Sequence, residues 1–418
     1  MAKKNKIILS APASKSYLQR ALAVSVLAQG TTILTNVSWC DDSLVAKKIV
    51  ERLGAEIFEK NKTLTIKTNS VTFKHDTFSA GEAGLSIRMF SPVLALENKK
   101  IIITGRGSLL KRPVKIIEDA LTSLGVEVSS ANGFLPLTVK GPIKSGKINI
   151  DGSLSSQLLT GLLITLPLLD GNSEINVDNL KSRPYIDMTL EVMKSFGVEV
   201  ENNNYKLFKI NGRQKYKAVN YNIEGDWSGA AFWLVVGAVK GNVEVLNLNA
   251  DSRQADKAIL EALKKAGAKV EINKNSITVD KNLLNAFNFD ATDCPDLFPP
   301  LACLASQCEG TSVIKGVSRL TYKESNRALV IKREFEKVGI KVVLDGDFMH
   351  ITGGKINAGT IDSNNDHRIA MAGGILDMFS DEKVEVLNKS AVNKSYPDFF
   401  DVINSKVNPE KSNPYSTF

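Results

Sequence analysis

Cysteine and histidine are scarce in this 418-residue chain, and their scarcity excludes several chemistries. The four cysteines (Cys40, Cys294, Cys303, Cys308) show no paired zinc spacing and are too few for a disulfide scaffold, so they suit a reducing compartment. With only three histidines (His75, His350, His367), no zinc site, structural or catalytic, is expected. Aromatic residues are only 7% of the chain, too sparse for the stacking platforms of a nucleic-acid-binding surface. No apolar run approaches the roughly 20 residues that cross a bilayer. The best, Leu158 to Leu169, is interrupted by Thr, Gly and Pro. The opening segment has lysines but only a brief apolar stretch before Ser10, which predicts no signal peptide and a cytoplasmic protein.

What is present is a repeat. The length exceeds what one hydrophobic core usually supports, so more than one domain is expected. Five times an amphipathic helical stretch ends in glycine followed by an alternating strand, at Gly54, Gly125, Gly197, Gly267 and Gly339, spaced 70 to 72 residues apart. Glycine suits a helix C-terminus because the chain must turn there through a left-handed conformation. Apolar helical segments begin at the same period, near Lys15, Leu85, Ser155, Trp227, Asp296 and Asp366. Each unit reads as βαβαββ, and six units make an α/β (α+β) protein of two domains with three units each. The sixth unit is incomplete, and the N-terminal strand Lys6–Leu9 could complete the C-terminal half. The chain then crosses twice, giving one domain of residues 1–13 plus 225–418 and another of 14–224. The last ten or so residues read as a polar tail.

The formal net charge of +8 suggests anionic partners, although solubility alone also accounts for such a surplus. The cations are placed more tellingly than they are numerous. Lys15, Ser16 and Arg20 stand at the first helix start, Ser155, Ser156 and Gln157 at the third, and Asp366, His367 and Arg368 at the sixth. A helix N-terminus offers unpaired N–H groups and the positive end of the macrodipole, so it favours anions. Serines there are by default caps, but cations at that end oppose the dipole and call for something negative. Further basic groups lie in Lys111-Arg112-Pro113, Ser182-Arg183-Pro184-Tyr185, Lys323-Glu324-Ser325-Asn326-Arg327 and Asn393-Lys394-Ser395. Proline after Arg112 and Arg183 suits a helix N1 position, and the i,i+4 spacing of Lys323 and Arg327 puts both on one face if that stretch is helical. Asp296 reads by default as an N-cap or first-turn acid, with Asp293 competing for the cap.

In order and spacing these motifs resemble the 5-enolpyruvylshikimate-3-phosphate synthases (3-phosphoshikimate 1-carboxyvinyltransferases), of the enolpyruvyl transferase family, along nearly the whole chain. The resemblance rests on ProAlaSerLysSer at 12–16 with Arg20, AspGlySerLeuSerSerGln at 151–157, and SerArgProTyrIleAsp at 182–187. It continues through residues 323–327, Asn365 to Arg368, and Lys394 to Asp398. It implies a fold like an inside-out α/β barrel in each domain, with an active site in an interdomain cleft that closes on its ligands. It also implies a reaction in which phosphoenolpyruvate gives its enolpyruvyl group to the 5-hydroxyl of shikimate 3-phosphate and phosphate is released, with no cofactor or metal, by a monomer. Ser16 and Arg20 would meet the shikimate carboxylate, and Ser155, Ser156 and Ser182 its phosphate, with Gln157 and Tyr185 lining the pocket. Phosphoenolpyruvate would lie against Lys15, Gly84, Arg112, Arg327, Arg368 and Lys394, and His367 would belong to the same site. Asp296 would be the base on the hydroxyl with Lys323 beside it, and Glu324 and Lys15 the candidates for the other proton transfers.

Some positions depart from the family pattern. Glu82 and Leu85 stand in Gly81-Glu82-Ala83-Gly84-Leu85, where GlyAsnAlaGlyThr is common, Met89 follows Arg88 in place of a proline, and Gln19 and Asn326 replace a usual asparagine and aspartate. Glu82, an acid near an anionic ligand, must turn away or pair with a cation. Two other families of protein compete with this reading. A UDP-N-acetylglucosamine enolpyruvyl transferase usually carries a reactive cysteine before its ArgPro motif, but Gly105 to Lys111 has none. A basic nucleic-acid-binding repeat protein should show basic stripes interleaved with aromatics, whereas Trp227 and Trp233 lie on a helix that reads as core.

Overall fold

The computed structural model describes residues 6–153, 155–321 and 323–407. The chain divides into two compact units, Ala13–Ile223 and a second made of the segment up to Pro12 with the chain from Glu224. The polar tail expected at the C-terminus lies largely outside the described residues.

In the unit Ala13–Ile223, each repeat begins with a helix that is buried nearly all round: Lys15–Leu27, Gly84–Leu94 and Gln157–Thr165. Such helices are apolar on every face and cannot lie at a surface. They form the centre. Helices Gly84–Leu94 and Gln157–Thr165 pack so closely that a Cβ at Gly161 would stand 2.6 Å from the Arg88 carbonyl oxygen. The second helices, Asp41–Arg52, Lys115–Ser123 and Arg183–Ser195, bury one face only. Outside the central helices lie three open four-stranded sheets. In the middle repeat the order is Thr77–Ser79, Lys100–Thr104, Phe134–Lys140, Glu127–Ala131, with the first pair parallel and the rest antiparallel. Alternation does the sorting: Leu135, Leu137 and Val139 are buried while their neighbours on the strand face outward.

The other unit repeats the plan with first helices Trp227–Lys240, Phe298–Ala305 and His367–Phe379. Its second helix Ile259–Ala266 buries Ile259, Leu260, Ala262, Leu263 and Ala266, the stripe of an amphipathic helix. The sixth repeat holds only the parallel pair Gly359–Asp362 and Val384–Leu387 among the described residues.

The repeat glycines do what their spacing predicts. Gly54, Gly125, Gly197, Gly267 and Gly339 all have positive φ, from +79° to +98°. Each turns the chain out of a second helix and into a strand.

The crossings exchange strands. Ile7–Ser10 pairs in parallel with Val243–Leu246, in the sheet of the fourth repeat rather than the incomplete sixth. Asn220–Asn222 pairs in parallel with Gly30–Thr35, in the sheet of the first repeat. Each strand precedes a helix of the other unit, so the chain leaves a sheet in one unit to start a helix in the next.

Candidate active site

In the unit Ala13–Ile223 the singled-out residues gather at the starts of the buried helices. Ser14 caps the first helix, its hydroxyl facing the Tyr17 N–H at 3.5 Å. Lys15 opens that helix, and its Nζ pairs with Asp42 at 2.8 Å. Ser16 is half-buried, and its carbonyl accepts from Arg20 Nη1 at 2.9 Å. Arg20 is 1% exposed. Its other donors go to Thr189 Oγ1 at 2.9 Å, the Tyr185 carbonyl at 3.1 Å and Thr160 Oγ1 at 3.5 Å. Burial pulls the Arg20 guanidinium down to about 10, because none of these oxygens carries a full charge.

A second knot forms around Gly84. Arg88 donates from Nη1 to the Gly84 carbonyl at 3.1 Å and to Gln157 Oε1 at 3.3 Å, and from Nη2 to the Pro113 carbonyl at 3.3 Å. Arg112 is 7% exposed, and a Cβ at Gly84 would stand 2.8 Å from its Nη1 and 3.0 Å from Arg88 Nη1. A side chain at this helix start would force the guanidinium ends to shift. Burial, with Arg112 as a like-charged neighbour, lowers Arg88 to about 10. Its hydrogen bonds all end on neutral oxygens, so Arg88 favours an incoming anion. Ser155 Oγ accepts from the Gln157 N–H at 3.1 Å, and Ser156, in helical conformation, makes no capping bond. Ser182 holds a left-handed φ of +58° immediately before helix Arg183–Ser195. Tyr185 accepts through its carbonyl from Arg20 and Thr189.

The second unit assembles a charge network. Asp296 accepts from Arg327 Nη1 at 2.8 Å, Arg368 Nη2 at 3.1 Å and Lys323 Nζ at 3.3 Å. Burial pushes its carboxyl up, but Arg368, Lys323 and Arg327 together outweigh it and hold Asp296 well below the usual carboxylate range. Lys323 is lowered, by burial first, against the pull of Asp296. Arg327, fully buried, also donates from Nε and Nη2 to Asp366 at 3.0 and 3.2 Å and from Nη2 to Glu324 at 2.8 Å. Asp366 caps the helix that follows through the Arg368 N–H, and Ser325 Oγ donates to its other oxygen. Lys394 Nζ reaches the Asn365 carbonyl at 3.0 Å, and His367 is buried at the first position of the helix. Arg368 Nε and Nη1 are buried with no hydrogen-bond partner among the described residues. Unspent buried N–H groups on a cation are a docking edge for an anion.

Glu324, Asp366 and His367 each place one ligand atom within 4.8 Å of the others. Arg327 already supplies the positive charge between the two carboxylates, so the cluster reads as an ion-pair network.

Several local expectations need correcting. Pro113 is not at a helix N1 position: helix Lys115–Ser123 starts two residues later, and Arg112 ends a 3-10 turn, Gly107–Lys111. Lys323 and Arg327 do not share a helical face, because the helix begins at Arg327 with Asn326 as its cap. They meet at Asp296 through the loop instead. Of the two readings of Asp296 the first-turn one holds, since it lies in the first turn of the 3-10 turn Pro295–Leu297, and the cap position is Cys294 rather than Asp296 or Asp293. Glu82 accepts at 3.2 Å from both the N–H and the hydroxyl of Ser108, which holds the loop before Arg112.

Sequence reasoning missed Arg88 and Asp42. Arg88 stands four residues after Gly84, on the same helix face, and that spacing was its only signal. Asp42 read as an ordinary first-turn acid of helix Asp41–Arg52.

Comparison with known proteins places the chain in a family. The family model for EPSP synthase (3-phosphoshikimate 1-carboxyvinyltransferase) matches residues 3–403. A 3-phosphoshikimate 1-carboxyvinyltransferase of Clostridium novyi (strain NT) is 37% identical over 404 residues, covering 94% of this chain and 93% of that protein. One from Clostridium acetobutylicum is 38% identical over 396 residues, covering 93% and 92%. Among solved structures, an EPSP synthase from Acinetobacter baumannii superimposes with a TM-score of 0.79 at 24% identity, covering 96% of both chains. The enolpyruvyl transferase NikO from Streptomyces tendae gives 0.78 at 15% identity, covering 96% of this chain and 95% of that one, and these two likenesses speak to the fold. With the family model spanning almost the whole chain and relatives this similar, the chain belongs to the EPSP synthase (3-phosphoshikimate 1-carboxyvinyltransferase) family.

Proposed function

We propose that this chain transfers the enolpyruvyl group of phosphoenolpyruvate to the 5-hydroxyl of shikimate 3-phosphate and releases phosphate. The observation that carries the reading is Asp296, an anionic carboxylate gripped by Lys323, Arg327 and Arg368 in a chain of this family. Adding an alcohol across an enol requires a proton on the methylene carbon and loss of one from the hydroxyl. Eliminating phosphate then requires a proton to leave the new methyl group, which restores the double bond. Asp296 is our candidate for the hydroxyl proton. Glu324 and Lys15 are the candidates at the methylene and at the departing phosphate.

In the free protein the three cations make Asp296 a poor base. An anionic substrate that draws on Arg368 and Lys323 would weaken their hold and restore its basicity, so substrate binding itself would prepare the base. The cations around Gly84, with Lys394 and Arg368, would hold the carboxylate and phosphate of phosphoenolpyruvate, since guanidinium forks match both groups. Ser16, Arg20, Ser155, Ser156, Gln157, Ser182 and Tyr185 would hold shikimate 3-phosphate. Of the donors on Arg20, one Nη1–H remains for the shikimate carboxylate once its bonds within the unit are made. We place the reaction in the cytoplasm, carried out by one chain; no helix among the described residues is long and apolar enough to cross a membrane.

Purified protein should release phosphate only when phosphoenolpyruvate and shikimate 3-phosphate are both supplied. Turnover with UDP-N-acetylglucosamine in place of shikimate 3-phosphate would overturn the assignment.

A further inference from the structure

The helix start at Trp227 is one of the six repeated starts, yet it carries none of the groups assigned so far. It is tied to the segment 254–256. Gln254 Nε2 donates to the Gly225 carbonyl at 2.7 Å, and its Oε1 accepts from the Trp227 N–H at 3.2 Å. Ser228 Oγ donates to Asp256 Oδ2, and Asp226 Oδ1 caps the helix through the Ser228 N–H at 3.0 Å. These bonds fix Asp256, 1% exposed, against the helix start. Its Oδ1 is buried with no hydrogen-bond partner among the described residues, as are Nε and Nη1 of Arg368.

Four charged or titratable groups act on this carboxyl or feel it. They are Asp296 from the turn Pro295–Leu297, Arg368 from the helix His367–Phe379, Asp226 from the helix cap, and the buried thiol of Cys294. Burial, then the charge of Asp296, pushes Asp256 up to about 7, while Arg368 and the Ser228 hydroxyl pull it down. A buried carboxylate of this kind keeps its charge only while a cation compensates it. An anion bound to Arg368 would take that compensation away.

We propose that Asp256 is a positioning residue that takes up a proton from solvent when a substrate anion docks on the unspent edge of Arg368. Anion binding and Asp256 protonation are then one coupled event. Neutral Asp256 no longer competes for Arg368, which is held by Asp296 alone and presents Nε and Nη1 to the substrate. The inference rests on the reading that Arg368 receives phosphoenolpyruvate.

The test is calorimetric titration of phosphoenolpyruvate into the full chain, at several pH values from neutral upward, in two buffers of different ionisation heat. The wild type should take up about half a proton more per site than Asp256→Asn at pH 7, rising toward about one above it, because the variant has no carboxyl to protonate. Ser228→Ala removes a bond that favours the anion, so its uptake curve should move to higher pH while binding persists. A purely structural role for the Ser228–Asp256 pair would move neither curve. Equal proton uptake by wild type and Asp256→Asn, or an unshifted curve in Ser228→Ala, would overturn the proposal while leaving the substrate reading intact. Failure of the wild type to bind phosphoenolpyruvate would remove both.

Discussion

The two units handle positive charge differently. Around Gly84 and Arg20, buried guanidiniums end on carbonyls, hydroxyls and an amide oxygen, and burial lowers both Arg20 and Arg88 to about 10. In the other unit, three acids, Asp296, Glu324 and Asp366, surround Arg327 so closely that its guanidinium is driven the other way, its pKa raised despite burial. A cation set among neutral oxygens has reason to receive a substrate anion. A cation already matched by carboxylates instead sets which protons those carboxylates hold. The first arrangement suits binding and the second suits chemistry, although both grow from the same repeated helix start.

The sharpest way to break this contrast is in the acid network. Asp296→Asn should lower kcat by ~10²–10⁴-fold, the usual cost of losing a positioned acid or base. Asn keeps an oxygen for Arg327, so the fold should survive, as circular dichroism would show. Near-normal turnover would make Asp296 only a counter-ion for Lys323, Arg327 and Arg368. Glu324→Gln should act in the same direction through kcat, and a change confined to KM would move Glu324 out of the chemistry.

The binding side predicts the opposite kinetic split. Replacing Arg88 with Met should raise KM for phosphoenolpyruvate by ~10–100-fold with a smaller change in kcat, consistent with about 1.5–3 kcal/mol for a hydrogen bond to a charged group. Gly84→Ala is gentler. Its new methyl would press on the ends of two flexible side chains, Arg112 and Arg88. Thermal melting should barely move while KM for phosphoenolpyruvate rises severalfold. A large loss of melting temperature with unchanged KM would show that Gly84 serves packing alone.

The smallest effect is on stability against pH. Asp256 has its pKa raised by burial, so the folded state favours its protonated form. Its favourable contribution is complete below the unfolded pKa of about 4 and is lost as pH rises through about 7. Asp296, held low, works in the reverse sense, and its contribution is lost as pH falls. Asp256→Asn should therefore melt at a higher temperature than wild type at pH 8, with the gap closing toward pH 4. A gap independent of pH would mean that folding leaves the pKa of Asp256 where it stands in the unfolded chain.

Much of this protein is legible in its sequence because its signals are local. A glycine that must take positive φ after a helix, and strands whose apolar residues alternate, announce themselves within a dozen residues, as at Gly125 and Phe134–Lys140. Lys15, Ser155 and Arg368 could be picked out because they recur at the same point of a repeat. Long-range partners leave no such trace. Nothing near Lys15 announces its pairing with Asp42, and nothing in Lys323 to Arg327 shows that both cations converge on an acid some thirty residues earlier. Arg88 looked like one more residue of an apolar helix until the helices packed and its guanidinium met Gln157 and the Pro113 carbonyl. Sequence by itself determined the repeat, the helix ends and the family motifs, since each depends on neighbours a few residues apart. Tertiary packing alone decided which buried charges meet, and therefore which acid is held anionic and which is poised near neutrality, because pKa follows burial and the nearest charges in space.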